Sequence, residues 1–127
     1  QTFAQWGIPT PVAVVESAAT ELPVIASGGV RNGLDAAKAL ALGATLVGLG
    51  QPLLLRALEG FESVVNWLSV FFAELTTAMF LIGAATLGEL RNKPVLILGK
   101  TSEWLRLRGY DPTQFAQRGY VMATGVA

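Results

Sequence analysis

The sequence predicts an α/β fold with parallel strands, and three features predict it. Two short apolar runs, Leu22–Ser27 and Thr45–Leu49, each lead into glycine. The segment between them carries a helix start, helix-compatible residues and a helix stop. Charged residues are only 14% of the 127 residues, while apolar residues are 52%. Against a usual charged share of about 25%, this predicts elements covered by other protein.

Taken in order, Thr10-Pro11 is a helix start, an N-cap residue followed by proline at the first helical position. It predicts a helix from Pro11 to about Ala19. Leu22-Pro23-Val24-Ile25-Ala26-Ser27 then reads as a strand buried on both faces. Asn32 is the N-cap of the next helix, with Asp35 three residues on in the pattern of a capping box. Ala36–Leu42 continue that helix and Gly43 ends it. Thr45–Leu49 is a second buried strand. Strand, helix and strand at this spacing make a βαβ unit with parallel strands and a right-handed crossover.

After Gln51-Pro52 one long helix is predicted. Phe61, Val64, Val65, Leu68, Phe72, Leu75, Met79 and Ile82 step by three or four residues and form its core stripe, and Gly83 closes it. Pro94–Gly99 reads as a short strand or extended segment. Thr101–Leu105 begins a final short helix that ends at Gly109. The expected organisation is one segment over 1–109 and a loosely ordered tail over 110–127.

Composition excludes several functions. Without Cys or His, a Cys/His zinc site and Ser-His or Cys-His catalysis within this chain are impossible. Nine basic residues balance nine acidic ones, so nothing pulls the chain toward nucleic acid. The apolar run Ala39–Leu55 is interrupted by Gly43, Gly48, Gly50 and Pro52. The run Ser63–Gly88 contains Asn66, Glu74, Thr76 and Thr77. A membrane span wants about 20 apolar residues without such breaks, so no membrane partner is expected. Gln1–Trp6 has neither a start Met nor a basic stretch. It does not read as a signal peptide, and a cut inside a longer protein is expected.

Chemistry is concentrated in Ala26-Ser27-Gly28-Gly29-Val30-Arg31-Asn32-Gly33, which joins a strand to a helix. Adjacent glycines let backbone approach a ligand closely. The helix start offers N–H groups to an anion, and Arg31 adds a forked cation. These features make a phosphate-binding loop. Gly48-Leu49-Gly50-Gln51-Pro52 is a second small-residue strand end. In a (β/α)8 barrel, the loops after strands seven and eight commonly share one phosphate site, and this spacing fits them. Glu16, Glu21, Glu62 and Glu74 read as solvated or paired surface charges, Lys38 as an exposed helix residue, and Trp6 and Trp67 as packing residues. No catalytic constellation and no metal site is present in the sequence.

Three stretches carry a family resemblance. They are Phe3-Ala4-Gln5-Trp6-Gly7-Ile8-Pro9-Thr10, the core Ile25–Ala44, and Thr77-Ala78-Met79-Phe80-Leu81-Ile82-Gly83 with Leu90-Arg91 and Pro94-Val95. Together they resemble the type 2, FMN-dependent isopentenyl-diphosphate isomerases, up to about Gly109. The GG-x-R core is also similar to that of 2-hydroxy-acid oxidases and inosine-monophosphate dehydrogenases, which usually carry Asp where Ser27 stands. The W-G-I-P-T turn and the A-M-F-L-x-G helix favour the isomerase.

The resemblance implies the C-terminal part of a (β/α)8 barrel, strands seven and eight with their helices, incomplete as an isolated chain. It implies FMN phosphate on Gly29, Val30, Arg31, Gly50 and Gln51, with Ser27 and Gly28 adjacent. The family more often has a small pair such as Ala-Gly where Gly50-Gln51 stands. The implied reaction interconverts isopentenyl and dimethylallyl diphosphate, with Mg²⁺ on the diphosphate and NADPH reducing the flavin. The family's catalytic and metal-binding residues lie upstream, so none is carried over. A cytoplasmic protein is expected.

A full barrel needs about 250 residues. Two strands alone leave open sheet edges and an uncovered apolar face, so self-association, a homo-oligomer or a larger assembly is expected. Two rival readings stay open at this point: a segment of another FMN barrel such as a hydroxy-acid oxidase, and a non-catalytic half-barrel scaffold.

Overall fold

Seven helices and two strands follow one another in a computed structural model that describes Thr2 and residues 6–119. The order is α1 (Thr10–Ala18), β1 (Ile25–Ser27), α2 (Gly33–Ala41), β2 (Leu46–Gly48), α3 (Gln51–Glu59), α4 (Phe61–Leu81), α5 (Leu87–Asn92), α6 (Gly99–Leu107) and α7 (Thr113–Ala116). The two strands pair in parallel, with Ile25 opposite Leu46, Ala26 opposite Val47 and Ser27 opposite Gly48. The β1–α2–β2 crossover of the sequence reading is therefore present.

Helix α2 is the centre of the fold. Its N-cap Asn32 accepts a hydrogen bond from Asp35 N–H at 2.8 Å, and Gly43 leaves the helix at φ 118. Ala36, Ala37, Ala39, Leu40 and Ala41 are all buried. Small side chains here let neighbours approach from several sides. Val30, Ala36 and Phe71 form one cluster with Trp67. Leu40, Ala41, Ala84 and Leu90 form a second with Leu75 and Met79. A third joins α1, β1 and α2 to Leu105 and Phe115. The carbonyl end of α2 faces a cation: Arg118 donates to Ala41 O at 2.6 Å and lies 4.1 Å over the Phe115 ring. A positive charge belongs at that end of a helix dipole.

Four expectations need correction. The long helix after Gln51-Pro52 is two helices, because Gly60 adopts φ 126, a conformation open to glycine that breaks the helical path. The core stripe of α4 holds at Leu75 and Met79 and fails at Phe61, Val65, Phe72 and Ile82. Phe71 is the one buried residue of α4, with Trp67, Leu75 and Met79 packed beside it, while Phe61 and Phe72 are exposed. The strands are not covered on both faces: Ile25 is 65% and Leu46 58% exposed, with Ala26 buried between. The stretch 110–119 is not loose, because Phe115 is buried in the core and its carbonyl accepts from Val95 N–H at 2.9 Å. Residues 120–127 of the expected tail lie outside the described residues.

Pro94–Leu98 has no regular secondary structure and does not join the sheet. Helix α4 is, among the described residues, the one helix long and apolar enough to cross a membrane by length and composition, with mean hydropathy 1.5. The interruptions noted in the sequence do not remove it from that class. In this fold its inner face packs on α2.

Candidate functional site

The parallel register decides where the two glycine loops lie. Because Ser27 pairs with Gly48, both strands end at the same edge of the sheet. The loops 28–32 and 49–50 leave from that edge together. Gly48 fits closely there: a Cβ would sit 3.1 Å from the Ser27 side chain, which would have to yield slightly.

The first loop is a sharp turn. Gly28 and Gly29 have φ 91 and 76, a pair of left-handed conformations that side chains disfavour. A Cβ on Gly29 would meet nothing within 4 Å, and one on Gly28 would lie 3.6 Å from Thr10 Oγ1. The backbone is thus open toward a ligand and is flanked by Thr10 of the W-G-I-P-T turn. Val30 turns inward and is buried against Ala36 and Phe71, which anchors the loop. Arg31 stays at the surface with its side chain 76% exposed, and its Nε donates to Asp35 Oδ2 at 3.1 Å.

The capping box takes a different form from the expected one. Asn32 caps Asp35 N–H, but the Asp35 carboxylate accepts from Arg31 N–H at 3.2 Å rather than from the N-cap residue. The first N–H of α2 is also engaged. Gly33 N–H donates to Glu74 Oε2 of α4 at 2.8 Å.

A groove of about 340 Å³ runs along the loop. Its walls include Thr10, Gly28, Gly29, Val30, Arg31 and Lys38. Two cations and Asp35 face it, a balance that favours an anion. Gly50 and Gln51 are exposed and begin α3 at the same sheet edge, but they are not on the walls of this groove. The structure therefore gathers Gly28, Gly29, Val30 and Arg31 on one groove. Ser27 ends β1 just before the loop and is not on the groove's walls, and the second loop leaves from the same end of the sheet. Thr10, Lys38 and Glu74 are the neighbours that the sequence reading did not assign to the site. Thr10 was legible from its motif, whereas the other two became visible only through packing.

The sequence profile of the family described as FMN-dependent dehydrogenase matches residues 7–97. The chain belongs to that family. All the candidate site residues fall within the matched range. The chain is also homologous to isopentenyl-diphosphate delta-isomerases. It is 46% identical over 119 residues to the enzyme of Methanothermobacter thermautotrophicus, covering 93% of this chain and 34% of the relative. The Methanothrix thermoacetophila enzyme is 47% identical over 116 residues, covering 91% and 32%. That of Symbiobacterium thermophilum is 48% identical over 117 residues, covering 89% and 32%. The chain thus spans about a third of the length of these relatives. Membership of the FMN family and homology to the isomerases together agree with the type 2 resemblance read from the motifs.

Proposed function

We propose that this chain supplies the FMN-phosphate loops of an isopentenyl-diphosphate delta-isomerase, as strands seven and eight of its (β/α)8 barrel with their helices. The observation that carries the proposal is the open left-handed turn at Gly28-Gly29 beside Arg31, at the same sheet edge as Gly50-Gln51. The backbone of Gly28, Gly29 and Val30 and the guanidinium of Arg31 fit a phosphate dianion. Glycine lets the backbone N–H groups approach it, and arginine offers a charge-assisted fork. Ser27 supports the turn, and Gly50 and Gln51 approach the phosphate from the neighbouring loop.

FMN, when bound, supplies the chemistry that moves protons on and off the substrate carbons, and the protein supplies position and electrostatics. This chain's part is to hold the phosphate end. Interconversion of isopentenyl and dimethylallyl diphosphate, use of Mg²⁺ and NADPH, assembly into a homo-oligomer and a cytoplasmic location belong to the same reading of the full-length protein. The homology at 46% identity favours it over a hydroxy-acid oxidase segment.

The test is a flavin-fluorescence titration of FMN into the full-length protein and its Arg31→Ala variant, followed by turnover of isopentenyl diphosphate. Saturable binding that weakens about tenfold in the variant is expected from loss of a charge-assisted contact. Equal affinity in both proteins would overturn the assignment of Arg31. Absence of isopentenyl diphosphate turnover by the flavin-loaded protein would overturn the reaction.

A further inference from the structure

We infer that Glu74 is a positioning residue for the phosphate loop: its carboxylate holds the first N–H of α2 and so directs an incoming phosphate onto Gly28–Val30 and Arg31. The inference rests on the FMN-phosphate reading above and names a residue that reading does not contain.

The contact joins distant parts of the chain. Glu74 lies in the middle of α4, 41 residues from Gly33, yet its Oε2 accepts from Gly33 N–H at 2.8 Å. The approach is built into the backbone. A Cβ on Gly33 would fall 2.2 Å from Phe71 O, 2.3 Å from Leu75 N and 2.7 Å from Glu74 Cβ. Only glycine lets α4 come this close, and the closeness sets the carboxylate on the helix start. On the loop side, Val30 packs against Phe71 one turn before Glu74. The loop is thus fixed at its middle and at its helix end by the same stretch of α4.

The electrostatic consequence follows. The start of α2 is an anion site by its N–H groups and dipole, and here a protein carboxylate already fills it. Asn32 takes Asp35 N–H through its side chain and Ala36 N–H through its carbonyl. A phosphate placed on the same helix start would have to displace the Glu74 acceptor from Gly33 N–H. The favourable place for it is the other side of the turn, where Gly28 and Gly29 expose backbone and Arg31 and Lys38 supply positive charge.

The experiment titrates FMN and riboflavin, which lacks the phosphate, into full-length wild type, Glu74→Ala, Glu74→Asp, Glu74→Gln and Arg31→Ala. Glu74→Gln keeps an acceptor at the same reach. Glu74→Asp keeps the charge but is one methylene short. The expected result is about a tenfold loss of FMN affinity in Glu74→Ala and Glu74→Asp, the size of one hydrogen bond to a charged group. Glu74→Gln should stay within about threefold of wild type on the same scale, and riboflavin affinity should be unchanged throughout. If Glu74→Ala does not fold, the Asp and Gln pair carries the same comparison. Parallel loss of FMN and riboflavin would overturn the inference, because the effect would then be general destabilisation. Unchanged FMN affinity in Glu74→Ala alongside a loss in Arg31→Ala would also overturn it and leave the phosphate site standing. Unchanged affinity in both would remove the phosphate site itself.

Discussion

The β1–α2–β2 unit and the α3–α4 pair are built from equally apolar sequence and end in opposite states. Along α2 six of nine residues are buried. Along α3 none is buried, and along α4 only Phe71 is. Leu58 of α3 and Phe61 and Phe80 of α4 are each about four-fifths exposed. The difference teaches that apolar content measures a demand for cover, and that the cover for α2 lies inside this chain. The cover for the outer faces of α3 and α4 is not found among the described residues. A chain spanning a third of its relatives' length fits that division.

The largest effect should come from the covered region. Leu40 of α2 is 4% exposed within a four-residue cluster. Leu40→Ala should cost about 2–5 kcal/mol by transfer and cavity terms, read by urea unfolding. In the 127-residue chain, where Leu58 is 78% exposed, Leu58→Ala should stay within about 0.5 kcal/mol. Equal losses at the two positions would break the contrast between the regions.

Gly33→Val probes the seam between them. Its Cβ would overlap the α4 backbone, so α2 and α4 must separate. A cost of about 1–3 kcal/mol from overpacking is expected in the same assay, larger than any gain in helix propensity over glycine. A neutral outcome would mean that α4 is not seated on α2 as described.

A smaller effect is expected at Asp111, between α6 and α7. The Thr113 hydroxyl and backbone N–H, donating at 2.6 and 3.0 Å, hold this carboxyl below its ordinary range. A lowered folded value means that its contribution is complete above the ordinary value of about 3.9. The contribution is lost as pH falls through the lower folded value. The Tm difference between wild type and Asp111→Ala should therefore be constant near neutrality and close below about pH 4. A difference that widens on acidification would contradict the hydrogen-bonded carboxylate.

What was legible in the sequence follows the same division. The βαβ unit, the Asn32 cap and the Gly43 stop were readable because their signals are local and their partners lie within a few residues. The Gly28-Gly29 turn was readable for the same reason. The inner face of α4 was readable only at Leu75 and Met79. Apolar side chains such as Phe72 and Phe80 also stand exposed along the helix, so periodicity does not single out the face that packs. The single long helix predicted after Gln51-Pro52 runs across Gly60, and the positive φ of that residue shows the break. The packing of Phe115 depends on Val95, twenty residues upstream, for which no local pattern exists. Glu74 looked like any surface carboxylate because its partner is a backbone N–H that tertiary packing alone brings near.

The central claim is that the glycine turn, and not the start of α2, receives a phosphate. Amide hydrogen exchange on the full-length protein, flavin-free against FMN-loaded, tests it residue by residue. The account predicts new protection at Gly28, Gly29 and Val30, with Gly33 unchanged because Glu74 already holds its N–H. Protection that appears at Gly33 and not at Gly28–Val30 would contradict it.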